Sequence, residues 1–157
     1  MNDSMSRFNT IVAMIFADLL DNFPVQKEPD VAAIAEQFGL EASRRSRPRS
    51  HSNGPKKMMA FRDLSYGEIT PGVDFEDYIE NLVAFLRDEG FVQWDSEWVH
   101  SIRLSAKGLS ILQATPNSLQ ASIGSGIKSA LKDGLAEGRQ AMLGQLVSLA
   151  MNKLAGF

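Results

Sequence analysis

Cysteine is missing from all 157 residues, so neither a disulfide nor a thiolate zinc site can hold the fold, and a reducing compartment suits it. No run of about 18 apolar residues occurs, which argues against a membrane-spanning helix. Residues 1–6 lack the basic start and apolar stretch of a secretory leader. The expected setting is the cytoplasm. Motifs that carry chemistry are absent too. No glycine-rich nucleotide loop precedes a helix, and no Gly-x-Ser-x-Gly elbow appears. The stretch GSGIKS at 124–129 lacks both the Gly-Lys-Ser/Thr ending and a strand before it. The two histidines, His51 and His100, share no metal-ligand spacing. These absences favour a binding protein over an enzyme, with no cofactor and no metal.

What is present is an uneven distribution of charge. The net charge is -3, from 16 basic and 19 acidic residues. Six of the bases (Arg44, Arg45, Arg47, Arg49, Lys56 and Lys57) fall in RRSRPRSHSNGPKK at 44–57, which holds no acid. The remainder is therefore strongly acidic. An acidic body with one basic strap differs from a uniformly basic DNA-binding domain. Residues 41–57 show no apolar periodicity, and the expectation is a flexible insertion that buries nothing to offset its ordering.

Elsewhere the apolar residues repeat clearly. Phe8, Ile11, Val12, Ile15, Phe16, Leu19, Leu20 and Phe23 form one helical stripe over about 6–22, stopped by Pro24. Val31, Ile34, Ala35 and Phe38 share a face of a second, shorter helix, with Pro29 in its first turn and Gly39 as its cap. Residues 58–66 return to the core as helix or strand, and GEITPG reads as a turn. Asp74 is placed to cap a third helix whose inward stripe is Phe75, Tyr78, Ile79, Leu82, Val83 and Leu86. Gly90 ends it, with Phe91 folding back. Residues 91–94 and 98–104 read as a hairpin, and Ser105 caps the helix that follows. Beyond Pro116, leucines and isoleucines recur every four residues from Leu119 to Leu135. A stripe of small residues (Ser122, Gly126, Ala130, Gly134, Gly138) runs beside them, as one long helix would arrange them.

The sequence FLRDEGFV, the hairpin after it and IRLSAKGLSIL resemble the winged helix-turn-helix superfamily, loosely its bacterial MarR- and PadR-type regulators. The resemblance extends over residues 8–115 and is dense from 75 to 112. It implies that Leu104, Ser105 and Gly108 open the helix after the wing, and that residues 75–89 are the helix offered to a DNA groove. The expected architecture is mainly α with a β-hairpin. A winged-helix-like domain over 1–115 carries the basic insertion, and a long C-terminal helix over 118–157 serves assembly.

The charges complicate the implied function. Residues 74–89 hold Asp74, Glu76, Asp77, Glu80, Asp88 and Glu89 against Arg87 alone, although DNA binding normally rests on Lys and Arg. The exposed face is expected to comprise Glu76, Asp77, Glu80, Asn81, Ala84 and Asp88, with only Asn81 and Arg87 suited to base edges. Nucleic-acid contact, if made, falls to the strap bases with Asn81, Arg87, Arg103 and Lys107. Gly126, Ala130, Gly134 and Gly138 are the candidates for homodimer packing, since small residues let helices approach closely. Trp94 and Trp98 are candidates for a protein-partner surface. Two binding roles follow: a regulator that touches DNA, or an interaction module on the same scaffold that does not.

Overall fold

The computed structural model describes residues 3–44, 64–94, 101–116, 119–132 and 137–155. Its spine is α1 (Asp3–Asn22), whose stripe Ile11, Val12, Ile15, Phe16 and Leu19 is at most 1% exposed. Helix α2 (Val31–Gln37) is capped by Asp30, whose carboxylate accepts from the Ala33 N–H at 3.1 Å. Pro29 lies one residue before that cap, not in the first turn as expected. At the other end, Gly39 takes φ +70°, and the Gly39 and Leu40 N–H groups donate to Glu36 and Ala35. That pair of bonds closes the helix end in the manner a glycine cap allows.

After α2 the chain makes small antiparallel pairs. Strand β1 (Ser43–Arg44) pairs with β2 (Leu64–Ser65), Ser43 opposite Ser65. Most of the basic strap, and residues 58–63, lie outside the described residues. The segment expected as a plain turn is a hairpin of β3 (Glu68–Thr70) and β4 (Val73–Asp74). Pro71 and Gly72 form its tip. Gly72 has φ +83°, the conformation that a Pro-Gly turn asks of its second residue.

Helix α3 (Phe75–Asp88) buries Phe75, Ile79, Leu82, Val83 and Leu86. Asp74 occupies the cap position as expected, with extended backbone, but its side chain makes no capping bond. The Phe75 N–H instead donates to the Gly67 carbonyl at 2.9 Å. At the C-terminus Gly90 has φ +91°, Phe91 N–H reaches Leu86, and the Phe91 ring is fully buried. Strands β5 (Val92–Trp94) and β6 (Ile102–Leu104) pair antiparallel, Gln93 opposite Arg103. Lys27 forms a bridge on the free edge of β6, exchanging two 2.9 Å bonds with Ile102.

Helix α4 (Ala106–Gln113) begins at a dense junction. Ser105 Oγ accepts from the Gly108 N–H at 2.8 Å and donates to the Gly90 carbonyl at 2.6 Å. A Cβ on Gly108 would lie 2.3 Å from the Phe91 carbonyl oxygen, so glycine alone fits. The Leu-Ser-x-x-Gly pattern thus has a physical cause: it lets α4 sit directly on the backbone that leaves α3.

The tail departs from the single long helix expected. It forms α5 (Ile123–Lys132) and α6 (Glu137–Ala155), which pack on each other and on α1. The buried faces Ile123, Ile127 and Ala130 of α5 and Leu143, Leu146, Val147 and Ala150 of α6 join the same hydrophobic cluster as α1. Packed this way, both helices bury apolar faces against α1 that one projecting helix leaves partly in water, which favours this arrangement. Among the described residues no helix is long and apolar enough to cross a membrane.

Candidate functional site

The surface of α3 is acidic, though not with the membership expected. Asn81, Arg87, Asp88 and Glu89 are exposed, and Asp77, Glu80 and Ala84 are half-buried. Glu76 is not on the surface at all. It is 0% exposed, and its Oε1 accepts from the Tyr66 N–H at 2.8 Å, fastening the segment after β2 to the first turn of α3. That position also lets the carboxylate face the positive end of the helix. Asn81 Nδ2 donates to the Asp77 carbonyl of its own helix at 2.8 Å. Phe85 is 42% exposed and meets Phe8 edge-on at 5.9 Å between ring centres.

The bases group at the other end of the helix. The Arg87 guanidinium lies 3.9 Å from the centre of the Trp94 ring and pairs with Asp88 at 3.0 Å. Arg103, exposed on β6, shares with Arg87 a cleft of about 520 Å³ that also takes in Gln26, Gln93 and Trp94. Among the described residues no acid lines this cleft. Two of the sequence candidates, Arg87 and Arg103, are therefore brought together. Gln93 and Gln26 were missed: Gln93 because it reads as an ordinary strand position, Gln26 because a loop after α1 brings it there from afar. Lys107 is half-buried in the first turn of α4.

Arg45, Arg47, Arg49, Lys56 and Lys57 lie outside the described residues, and Arg44 is placed only as backbone in β1. The described ends of that insertion meet at the β1–β2 pair. Since Tyr66 follows β2 and is held by Glu76, the strap is rooted at the N-terminal end of α3. The Arg87–Arg103 cleft lies at the C-terminal end, about 20 Å along a helix of 14 residues. The described ends of the insertion and the Arg87–Arg103 cleft thus stand at opposite ends of α3, with its acidic face between them.

Of the small-residue stripe, Ala130 is fully buried, and a Cβ on Gly126 would meet the Leu146 methyls at 3.2 Å. These two positions serve packing of α5 within the chain. Gly134 lies outside the described residues, and Gly138 is placed as backbone in α6. Among the described residues no group of His, Asp or Glu is arranged to hold a metal ion. Both tyrosines ionise above their ordinary value. Burial is the main cause for each, reinforced at Tyr66 by the charges of Glu76 and Asp30 and opposed at Tyr78 by Arg7.

The chain matches no protein-family model, and no curated protein or solved structure shows significant similarity to it.

Proposed function

We propose that this is a non-enzymatic regulatory protein on a winged-helix scaffold, acting in the cytoplasm through a protein partner, with α3 kept out of the DNA groove. The order of α1, α2, α3, the β5–β6 hairpin and α4, with Lys27 on the hairpin edge, supports the scaffold. The observation that carries the functional reading is the face of α3. Asp77, Glu80, Asp88 and Glu89 line it, Asn81 donates to its own helix, and Arg87 is turned onto Trp94. A duplex presents closely spaced phosphate charges to any helix in its groove, and this face offers them repulsion.

A second reading is favoured by Arg103, exposed on the wing, together with the strap rooted near α3. In it the protein contacts nucleic acid through backbone phosphates alone, outside the groove. A salt titration of duplex DNA binding by anisotropy, on wild type and on a variant with Arg44, Arg45, Arg47 and Arg49 changed to Ala, separates the two. Absence of binding at low salt supports the partner reading. Binding that steepens with falling salt and disappears in the variant supports the phosphate-contact reading.

Assembly as a homodimer belongs to the same proposal. With Gly126 and Ala130 used inside the chain, the groove between α1 and α6, uncharged among the described residues and running along Asn9, Ala141, Gly144 and Ser148, is the face for a second copy. Ala141→Arg then lowers the sedimentation coefficient to that of a monomer, and an unaffected dimer moves the interface elsewhere.

A further inference from the structure

The cleft at the base of the wing has a composition that neither partner reading requires. Among the described residues its charged lining consists of Arg87 and Arg103, on a protein that is acidic overall. Arg103 makes no ion pair with any described residue, and Arg87 pairs with Asp88 only in an exposed setting, where such pairs are weak and readily exchanged. Gln26 and Gln93 add carboxamide donors, and Trp94 supplies an aromatic wall already stacked with the Arg87 guanidinium. A volume of about 520 Å³ falls within the range of small-molecule sites. Planar guanidinium forks match the two oxygens of a carboxylate or phosphate, and a neighbouring carboxamide can fix the orientation of such a group.

We propose that this cleft binds a small organic oxyanion, a phosphate monoester or a free carboxylate, with Arg103 as its principal anchor. Arg87 is the second contact, held in place by Trp94, and the two glutamines orient the ligand. The site lies where α3 ends, the wing begins and Ser105 locks α4 to Gly90, so a ligand there touches the junction of three elements. The proposal does not depend on which macromolecule the protein engages.

The test uses Trp98→Phe, which leaves Trp94 as the only tryptophan and so makes fluorescence report on the cleft. Inorganic phosphate, AMP and citrate are titrated separately, with far-UV circular dichroism confirming the fold of each variant. A saturable Trp94 response to at least one probe is expected, with Arg103→Gln weakening it about tenfold or more and Arg103→Lys weakening it less, because lysine keeps the charge without the fork. A response to AMP and phosphate alone identifies a phosphate site, and a response to citrate alone a carboxylate site. The proposal is overturned if none of the three gives a saturable response, or if a folded Arg103→Gln variant binds with unchanged affinity.

Discussion

The tightest contact in the fold yields its sharpest prediction. Gly108→Ala places a methyl 2.3 Å from the Phe91 oxygen and 3.2 Å from its carbonyl carbon. Real Cβ atoms essentially never approach closer than 3.0 Å, so α4 and the chain leaving α3 must separate by about 0.7 Å. The same shift stretches the 2.6 Å bond from Ser105 Oγ to Gly90 and the 2.8 Å bond from Ser105 N–H to Phe91, to about 3.3 Å and 3.5 Å. Helix propensity alone favours alanine by about 1 kcal/mol. The overpacking and the weakened bonds outweigh it, and the net loss is about 1–3 kcal/mol. Urea unfolding followed by circular dichroism measures this as a lower midpoint at unchanged slope. Gly126→Ala is the control: its new methyl meets only the flexible end of Leu146 at 3.2 Å, and stability stays within about 1 kcal/mol of wild type. A Gly108→Ala protein as stable as wild type would refute the junction described above.

Other consequences are as specific. Ser105→Ala removes both the cap of α4 and the bond to Gly90, and denaturant unfolding records a loss of about 1–2 kcal/mol. Glu76→Ala deprives the Tyr66 N–H of its acceptor and lowers stability by about 1–3 kcal/mol, whereas Glu76→Gln keeps an acceptor oxygen and loses less in the same assay. Because Tyr66 and Tyr78 are the only tyrosines and both are held above 10.0, alkaline ultraviolet titration of the native protein shows phenolate later than in denaturant. A folded pKa raised above the unfolded one contributes stability that is complete below about pH 10 and is lost as pH rises through the folded values. Coincident native and denatured titrations contradict the burial of both rings.

Local features of the fold were the legible ones. The ends of α2 and α3 could be placed because a glycine followed by an apolar residue satisfies a cap with groups one turn away. The hairpin was visible in its alternation, and Ser105 in its spacing to Gly108. Positions that depend on distant partners were not. Glu76 sits in an acidic first turn, where carboxylates ordinarily face water, and the Tyr66 N–H that it accepts from belongs to a separate segment. The β3–β4 hairpin did carry a signal, since Pro71-Gly72 stands between Ile69-Thr70 and Val73, yet it is too short for periodicity to register. In the tail, the leucine and small-residue spacings run on across residues 133–136, so the division into α5 and α6 follows from packing on α1. The cleft was half visible. Arg87 stood out alone among acids, and Arg103 with Lys107 beside the hairpin, but Gln26 reaches the cleft from a loop that no local pattern connects to β5 and β6.

The proposal that α3 does not read DNA is tested most directly by a selection of binding sites from a random duplex pool at low salt. The account predicts that wild-type protein enriches no sequence motif, and that Asn81→Ala behaves identically. Enrichment of a defined motif that is lost on changing Asn81 to Ala would contradict it, by placing the exposed face of α3 in the groove.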